Sequence, residues 1–119
     1  MANVLAWSLF ALGIGHIVFG VTKFRVSLLD ALSSGFVGKF SFPEERRTAF
    51  WFLIFAPLLM LAGQVAVHAV ALGDQWLLRL VAIYVFATSC IGVAAFPKSP
   101  FLAALLLSMF LLLAAYGLL

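Results

Sequence analysis

The sequence predicts an all-α integral membrane protein: a four-helix up-down bundle with a short amphipathic interfacial helix in its first loop. Of its 119 residues, 66% are hydrophobic and 9% are charged, whereas soluble domains average about 45–50% apolar and about 25% charged residues. A chain of this length has too little interior to hide so much apolar surface from water. We therefore expect lipid to surround a single transmembrane domain covering residues 1–119.

Four segments have the roughly 17–25 apolar residues that a spanning helix requires: residues 4–21, 49–72, 76–96 and 101–119. Gly73 and Asp74 predict a tight turn between the second and third segments, and Pro97 and Pro100 separate the third from the fourth. Connections this short place neighbouring helices antiparallel. The amino terminus lacks the positively charged region and cleavage site of a signal peptide, so we expect the first segment to be retained as a span.

The first connection, residues 22–48, is too polar and too rich in glycine to span a membrane. Residues 26–32 within it predict a short amphipathic helix that lies in the membrane interface. Pro43, followed by Glu44 and Glu45, is typical of a helix start, because proline fits the first turn and carboxylates favour the positive end of the helix dipole. We therefore expect the second helix to begin close to Pro43.

The basic residues predict an orientation. Six of the seven lysines and arginines fall on one side of the predicted bundle, and only Arg79 falls on the other. The positive-inside rule then places loop 22–48 in the cytoplasm and both termini outside, in an inner (cytoplasmic) membrane. The net charge of +3 serves this orientation and contact with the anionic lipids of the bilayer, so we expect no nucleic-acid partner.

His16 is the most informative polar residue, because it lies inside the first apolar segment among Gly13, Gly15 and Gly20. A polar ring in a spanning helix is a candidate functional group, and the glycines would let another helix approach the same face closely. Imidazole exchanges protons near neutral pH, which makes His16 a candidate general acid or base. Equally, one histidine can simply hold two helices together, and the sequence leaves both interpretations open.

Other polar groups are predicted at the depth of His16, in the cytoplasmic half. Thr88, Ser89 and Ser108 lie at this level on the third and fourth helices, and Pro57 leaves the carbonyl of Leu53 without its usual donor on the second. These groups are candidate ligand-binding residues. Serine and threonine in spanning helices, however, often bond only to their own helix carbonyls.

Charged and aromatic residues near the start of the second helix complete the candidate site. Glu44 and Glu45 could orient or charge the imidazole, and we group them with His16 as catalytic candidates. Trp51, Arg46 and Arg47 are candidate ligand-binding residues, because arginine binds anionic headgroups and phosphates well.

The sequence does not predict a metal site, and it leaves the identity of any cofactor unknown. His68 lies near the opposite face, about 20 Å in depth from His16. No cysteine, histidine, aspartate and glutamate residues occur together at ligand spacing.

The pattern Gly13-x-x-His16-x-x-x-Gly20, the loop ending in Glu44-Glu45-Arg46, the run 49–53 and Gly63 resemble a family of small bacterial four-span membrane proteins of unassigned function. They are also distantly similar to the DoxX-like superfamily, some of whose members are subunits of quinol oxidases or redox pathways. The resemblance implies the four-span fold and draws attention to His16, Arg46 and Trp51. Small multidrug-resistance exporters are similar in length, but they depend on a membrane-embedded glutamate that the first helix here lacks.

These observations favour the binding, with chemical conversion left open, of a lipophilic small molecule in the cytoplasmic half: a quinone, an isoprenoid or a sterol-like compound. One alternative is a transporter or channel formed by a homo-oligomer, because about 120 residues enclose little pathway alone. Another is a structural or assembly subunit, in which Gly13 and Gly20 would dock a partner membrane subunit. The sequence does not decide whether the chain is an enzyme.

Overall fold

A computed structural model describes all 119 residues as five α-helices without a strand. The helices are α1 (Ala2–Lys23), α2 (Arg25–Ser33), α3 (Glu44–Leu72), α4 (Gln75–Ala95) and α5 (Phe101–Ala115). The predicted all-α class is confirmed.

Three of the helices, α1, α3 and α4, are long and apolar enough to cross a membrane, whereas α5 is a shorter apolar helix. The fourth predicted span ran to Leu119, but α5 ends at Ala115 because Gly117 adopts a positive φ of 74°. The amide of Leu118 closes this end by donating to the carbonyl oxygen of Leu113 at 2.9 Å. At about 1.5 Å per residue α5 extends about 22 Å, less than the hydrocarbon core of about 30 Å.

The surface of the protein, like its sequence, is rich in apolar side chains. Only 18 of the 119 residues are buried, and large apolar side chains such as Trp7, Leu58 and Ile91 are more than half exposed. In water, the exposure of apolar surface would cost a free energy of about 25 cal/mol for every Å². Together with the three long apolar helices, this surface is that of a membrane protein.

Glycines let α1 and α3 pack closely. A Cβ atom at Gly63 would lie 2.4 Å from the backbone nitrogen of Phe10, and one at Gly13 would lie 2.5 Å from Cγ of Met60. Gly20 is buried against α3 in the same way. The close approach of another helix that was expected at Gly13, Gly15 and Gly20 therefore occurs within the chain at Gly13 and Gly20, but nothing lies within 4 Å of a Cβ atom at Gly15. The face at Gly13 and Gly20, which the assembly-subunit alternative assigned to a partner, is occupied by α3 of the same chain.

The second close pair is α4 with α5, where Gly92 lies against the ring of Phe101. The two pairs pack against each other where the amino ends of α1 and α4 meet the carboxyl ends of α3 and α5. Small and aliphatic side chains form this junction: Ala6, Leu9, Ala66, Ala69, Leu78, Ala82, Leu111 and Ala115. Toward the opposite end a cavity lies between the two pairs.

The connections follow the local signals of the sequence. Gly73 ends α3 with a left-handed φ of 68°, and the carboxylate of Asp74 caps α4 by accepting from the amide of Leu77 at 3.0 Å. The short helix predicted in the first loop is present as α2. Pro43 directly precedes α3, as expected from its fit to a helix start.

Candidate functional site

His16 contacts one residue of α3 through both its ring and its nitrogen. The imidazole stacks on the ring of Phe52, with centroids 4.0 Å apart and planes inclined by 13°, and its Nε2 lies 2.7 Å from the carbonyl oxygen of Phe52. The ring of Phe52 fits beside α1 because Gly20 has no side chain: a Cβ atom there would lie 2.8 Å from Cδ1 of Phe52. Gly20 thus makes room for the partner of His16.

This hydrogen bond fixes where the imidazole proton lies. A carbonyl oxygen can only accept, so Nε2 is the donor, and in the neutral ring Nδ1 is then the unprotonated nitrogen. The bond goes to Phe52 and not to Leu53, whose carbonyl loses its usual donor at Pro57. His16 is half-buried and lines the cavity between the helix pairs. It both holds α1 to α3 and presents a ring to that cavity.

We call the cavity between the α1–α3 pair and the α4–α5 pair the cleft. Its volume is about 1060 Å³, just above the range of about 300–1,000 Å³ that is typical of small-molecule sites. Its walls are largely apolar and aromatic, and include Phe19, Phe52, Phe55, Leu58, Val85 and Phe101. The ring of Phe55 meets that of Phe101 edge to face across the cleft, at a centroid distance of 6.3 Å.

The cleft brings together six of the nine residues predicted for the site: His16, Glu44, Arg47, Trp51, Thr88 and Ser89. Among these, Ser89 is buried, whereas Trp51 and Thr88 are exposed. Glu44 and Arg47 lie in the first turn of α3, at the open end of the cleft. These six predicted residues, which come from α1, α3 and α4, therefore line one cavity.

The other three predicted residues, Glu45, Arg46 and Ser108, do not line the cleft. Ser108 is fully buried and donates to the carbonyl oxygen of Leu105 in its own helix at 3.0 Å. Arg46 donates from Nη1 to the carbonyl oxygen of Lys39 at 3.2 Å. The helix period of 3.6 residues explains why Glu44 and Arg47 line the cleft and the two residues between them do not. Residues three positions apart lie on the same face of a helix, and the residues between them lie on other faces.

Several residues that line the cleft were not predicted from the sequence. Lys23 ends α1 and Lys98 follows α4, and both line the open end of the cleft. Their position at helix ends on the basic side of the predicted bundle is the signal that could have identified them. Nothing in the sequence distinguished Phe52 from the other phenylalanines of the chain, which has 13 in all. Tyr84 also lines the cleft, although its place in the sequence did not suggest it.

No group of three or more histidine, cysteine, aspartate or glutamate side chains is arranged to hold a metal ion. His68 is exposed and lies outside the cleft. The side chains of the cleft supply an imidazole, hydroxyl groups, aromatic rings, and charged groups at the open end.

Comparison with known proteins identifies the family but not an activity. No curated protein and no solved structure matches the chain. A family model described as a family of unknown function, DUF6463, matches residues 1–117. Since this match covers nearly the whole chain, the protein belongs to the DUF6463 family.

Proposed function

We propose that this chain is a four-span membrane protein that binds a lipophilic small molecule, such as a quinone, an isoprenoid or a sterol-like compound, in the cleft. In this proposal α5 is the fourth span, paired with α4, and the open end of the cleft faces the cytoplasm with loop 22–48. Both termini then lie outside the inner membrane. The distribution of lysine and arginine supports this orientation.

One observation carries the proposal: a cavity of about 1060 Å³ lined by aromatic rings also contains His16, Thr88 and Ser89. Small-molecule sites combine largely apolar walls with a few convergent polar groups in this way. An apolar ligand gains from the walls, while the hydroxyl and imidazole groups provide hydrogen bonds that select a carbonyl or hydroxyl on the ligand.

Conversion of the ligand is the further part of the proposal. Nδ1 of His16 is the nitrogen that accepts a proton in the neutral ring, because Nε2 donates to Phe52. Glu44 lines the same cleft. General acid or base chemistry at a bound quinone or isoprenoid would use these two groups. A kinship with DoxX-like redox subunits, expected from the sequence, would agree with a quinone ligand.

The experiment is to identify small molecules that remain on the protein after mild detergent purification, by mass spectrometry of an organic extract. Thr88→Trp fills the cleft from an exposed position on α4, whereas Ile91→Trp adds the same ring to the same helix outside the cleft. We expect the wild-type protein and I91W to retain the same lipophilic compound and T88W to lose it. Equal retention by all three proteins would refute the proposal.

A further inference from the structure

The open end of the cleft is distinctly basic. Lys23 from the end of α1, Arg47 from the start of α3 and Lys98 from the segment between α4 and α5 all line it, and Glu44 is the one carboxylate among its lining residues. Three cations thus face a single anion. All four residues are exposed, so the charges are hydrated and available to a ligand.

These cations are only partly occupied by contacts within the protein. The ammonium group of Lys23 lies 5.6 Å from the ring centroid of Phe19 and 5.5 Å from that of Phe24, which satisfies none of its three N–H donors. Arg47 donates from Nη2 to the carbonyl oxygen of Ser41 at 2.9 Å, one of the five N–H groups of a guanidinium. Lys23 and Arg47 therefore keep N–H groups that can donate to an anionic group at the open end of the cleft.

The interior of the cleft has the opposite character. Below the basic end, the walls are formed by rings such as those of Phe19, Phe52 and Phe55 and by aliphatic side chains such as Leu58 and Leu59. A ligand that satisfies both regions has an anionic head and an apolar tail. A neutral quinone or sterol would leave the basic end without a partner, and a free phosphate would leave the apolar walls empty.

We propose, as a refinement that rests on the proposed function, that the natural ligand is an amphiphile with an anionic head, a phosphate or a carboxylate. Lys23, Arg47 and Lys98 bind the head, and a hydrocarbon tail occupies the apolar walls below them. Arg47 can offer two parallel N–H groups to such a head. Charged groups at a membrane surface attract anionic lipids at about 1 kcal/mol per lysine or arginine, and here three of them converge on one cavity.

The test compares two lipids with identical tails, dioleoyl phosphatidylglycerol and dioleoyl phosphatidylcholine, which differ in net head charge. Native mass spectrometry of the full chain counts the lipid molecules retained from mixed detergent–lipid micelles. We expect phosphatidylglycerol to be retained over phosphatidylcholine by about tenfold or more, a preference equivalent to about 1.4 kcal/mol. The preference should weaken as ionic strength rises, because salt screens exposed charges.

The variants separate the cleft from the general basic surface. The triple variant K23Q/R47Q/K98Q removes the three cleft cations, and R25Q/K39Q/R46Q removes three others from the same side of the molecule that do not line the cleft. R47Q and R46Q are closely matched, since each arginine donates to a carbonyl of the same loop. The first variant should lose the preference for phosphatidylglycerol, and the second should keep it.

The remaining outcomes overturn the inference in distinguishable ways. Equal retention of the two lipids by the wild-type protein, with T88W retaining neither, would refute the anionic head but leave the proposed function intact. Equal loss of preference in both triple variants would assign it to surface charge outside the cleft. Displacement of phosphatidylglycerol by inorganic phosphate alone would show a phosphate site without a role for the tail. The wild-type comparison does not depend on any variant folding.

Discussion

The imidazole of His16 lies flat on the ring of Phe52, at 4.0 Å between centroids, and donates through Nε2 to the carbonyl oxygen of that same residue at 2.7 Å. One side chain of α1 is thereby attached to both the side chain and the backbone of one α3 residue. The contact lies on the wall of the cleft, so one ring both packs α1 against α3 and lines the cavity.

Replacing His16 with alanine should lower stability, because the carbonyl of Phe52 loses its donor and its ring loses the stacking partner. Interhelical hydrogen bonds in membranes contribute about 0.6 kcal/mol on average and up to about 1.7 kcal/mol, and loss of the stack adds to this. We expect a loss of about 1–2 kcal/mol, measured by thermal unfolding in detergent. H16Q can still donate and should lose less. H68A, an exposed control, should match the wild type; an H16A protein as stable as H68A would contradict the role of this contact.

Gly63 should not tolerate alanine. The new Cβ would lie 2.4 Å from the backbone of Phe10, so α1 must move away from α3, and such overpacking typically costs about 1–3 kcal/mol. Gly15 is the matched control, since nothing lies within 4 Å of a Cβ atom there. G15A should stabilise the helix by about 0.5–1 kcal/mol, because it removes glycine from a helix interior. Unfolding midpoints that shift in the same direction for both variants would contradict the packing described.

Gly92 and Phe101 should behave as a coupled pair. A Cβ atom at position 92 would lie 2.3 Å from Cγ of Phe101, so G92A must displace a ring that lines the cleft and contacts Phe55. We expect G92A to cost about 1–3 kcal/mol in the wild-type background and much less in the F101A background. A double-mutant cycle measures this difference, and simple additivity of the two changes would be evidence against it.

The proposed orientation predicts which loops react with an impermeant thiol reagent. In a C90A background, which removes the single cysteine, K39C lies in loop 22–48 and Q75C lies at the start of α4. In right-side-out membrane vesicles, Q75C should react with an impermeant maleimide at once, and K39C only after the membrane is permeabilised. The reverse pattern would place loop 22–48 outside the cell.

The helices were largely predictable, because their signals are local. Long apolar runs identified three spanning-length helices, and Gly73, Asp74 and Pro97 marked the breaks between α3, α4 and α5. The end of α5 was placed too late, because hydropathy continues through Leu118 and Leu119 while the backbone turns at Gly117. A glycine after an apolar run was the signal for that end.

The cleft was less predictable, because it depends on the angle between two helix pairs. The depth of each residue along its helix, counted from the sequence, predicted that His16, Thr88 and Ser89 lie at one level in the membrane. All three line the cleft. Depth alone also selected Ser108, which bonds within α5, since depth carries no information about the direction in which a side chain points. The partner of His16 required the register between α1 and α3, and local patterns do not encode that register.

The junction at the closed end has a consequence for how this architecture can vary. Alanine and leucine side chains there, from Ala6 to Ala115, join the two helix pairs far from the open end. None of the residues of this junction lines the cleft. At this end, the contact between the two helix pairs is therefore made by residues other than those that line the cleft. If the proposed function holds, a change at Thr88 or Lys98 would alter which molecule binds without removing any contact of this junction.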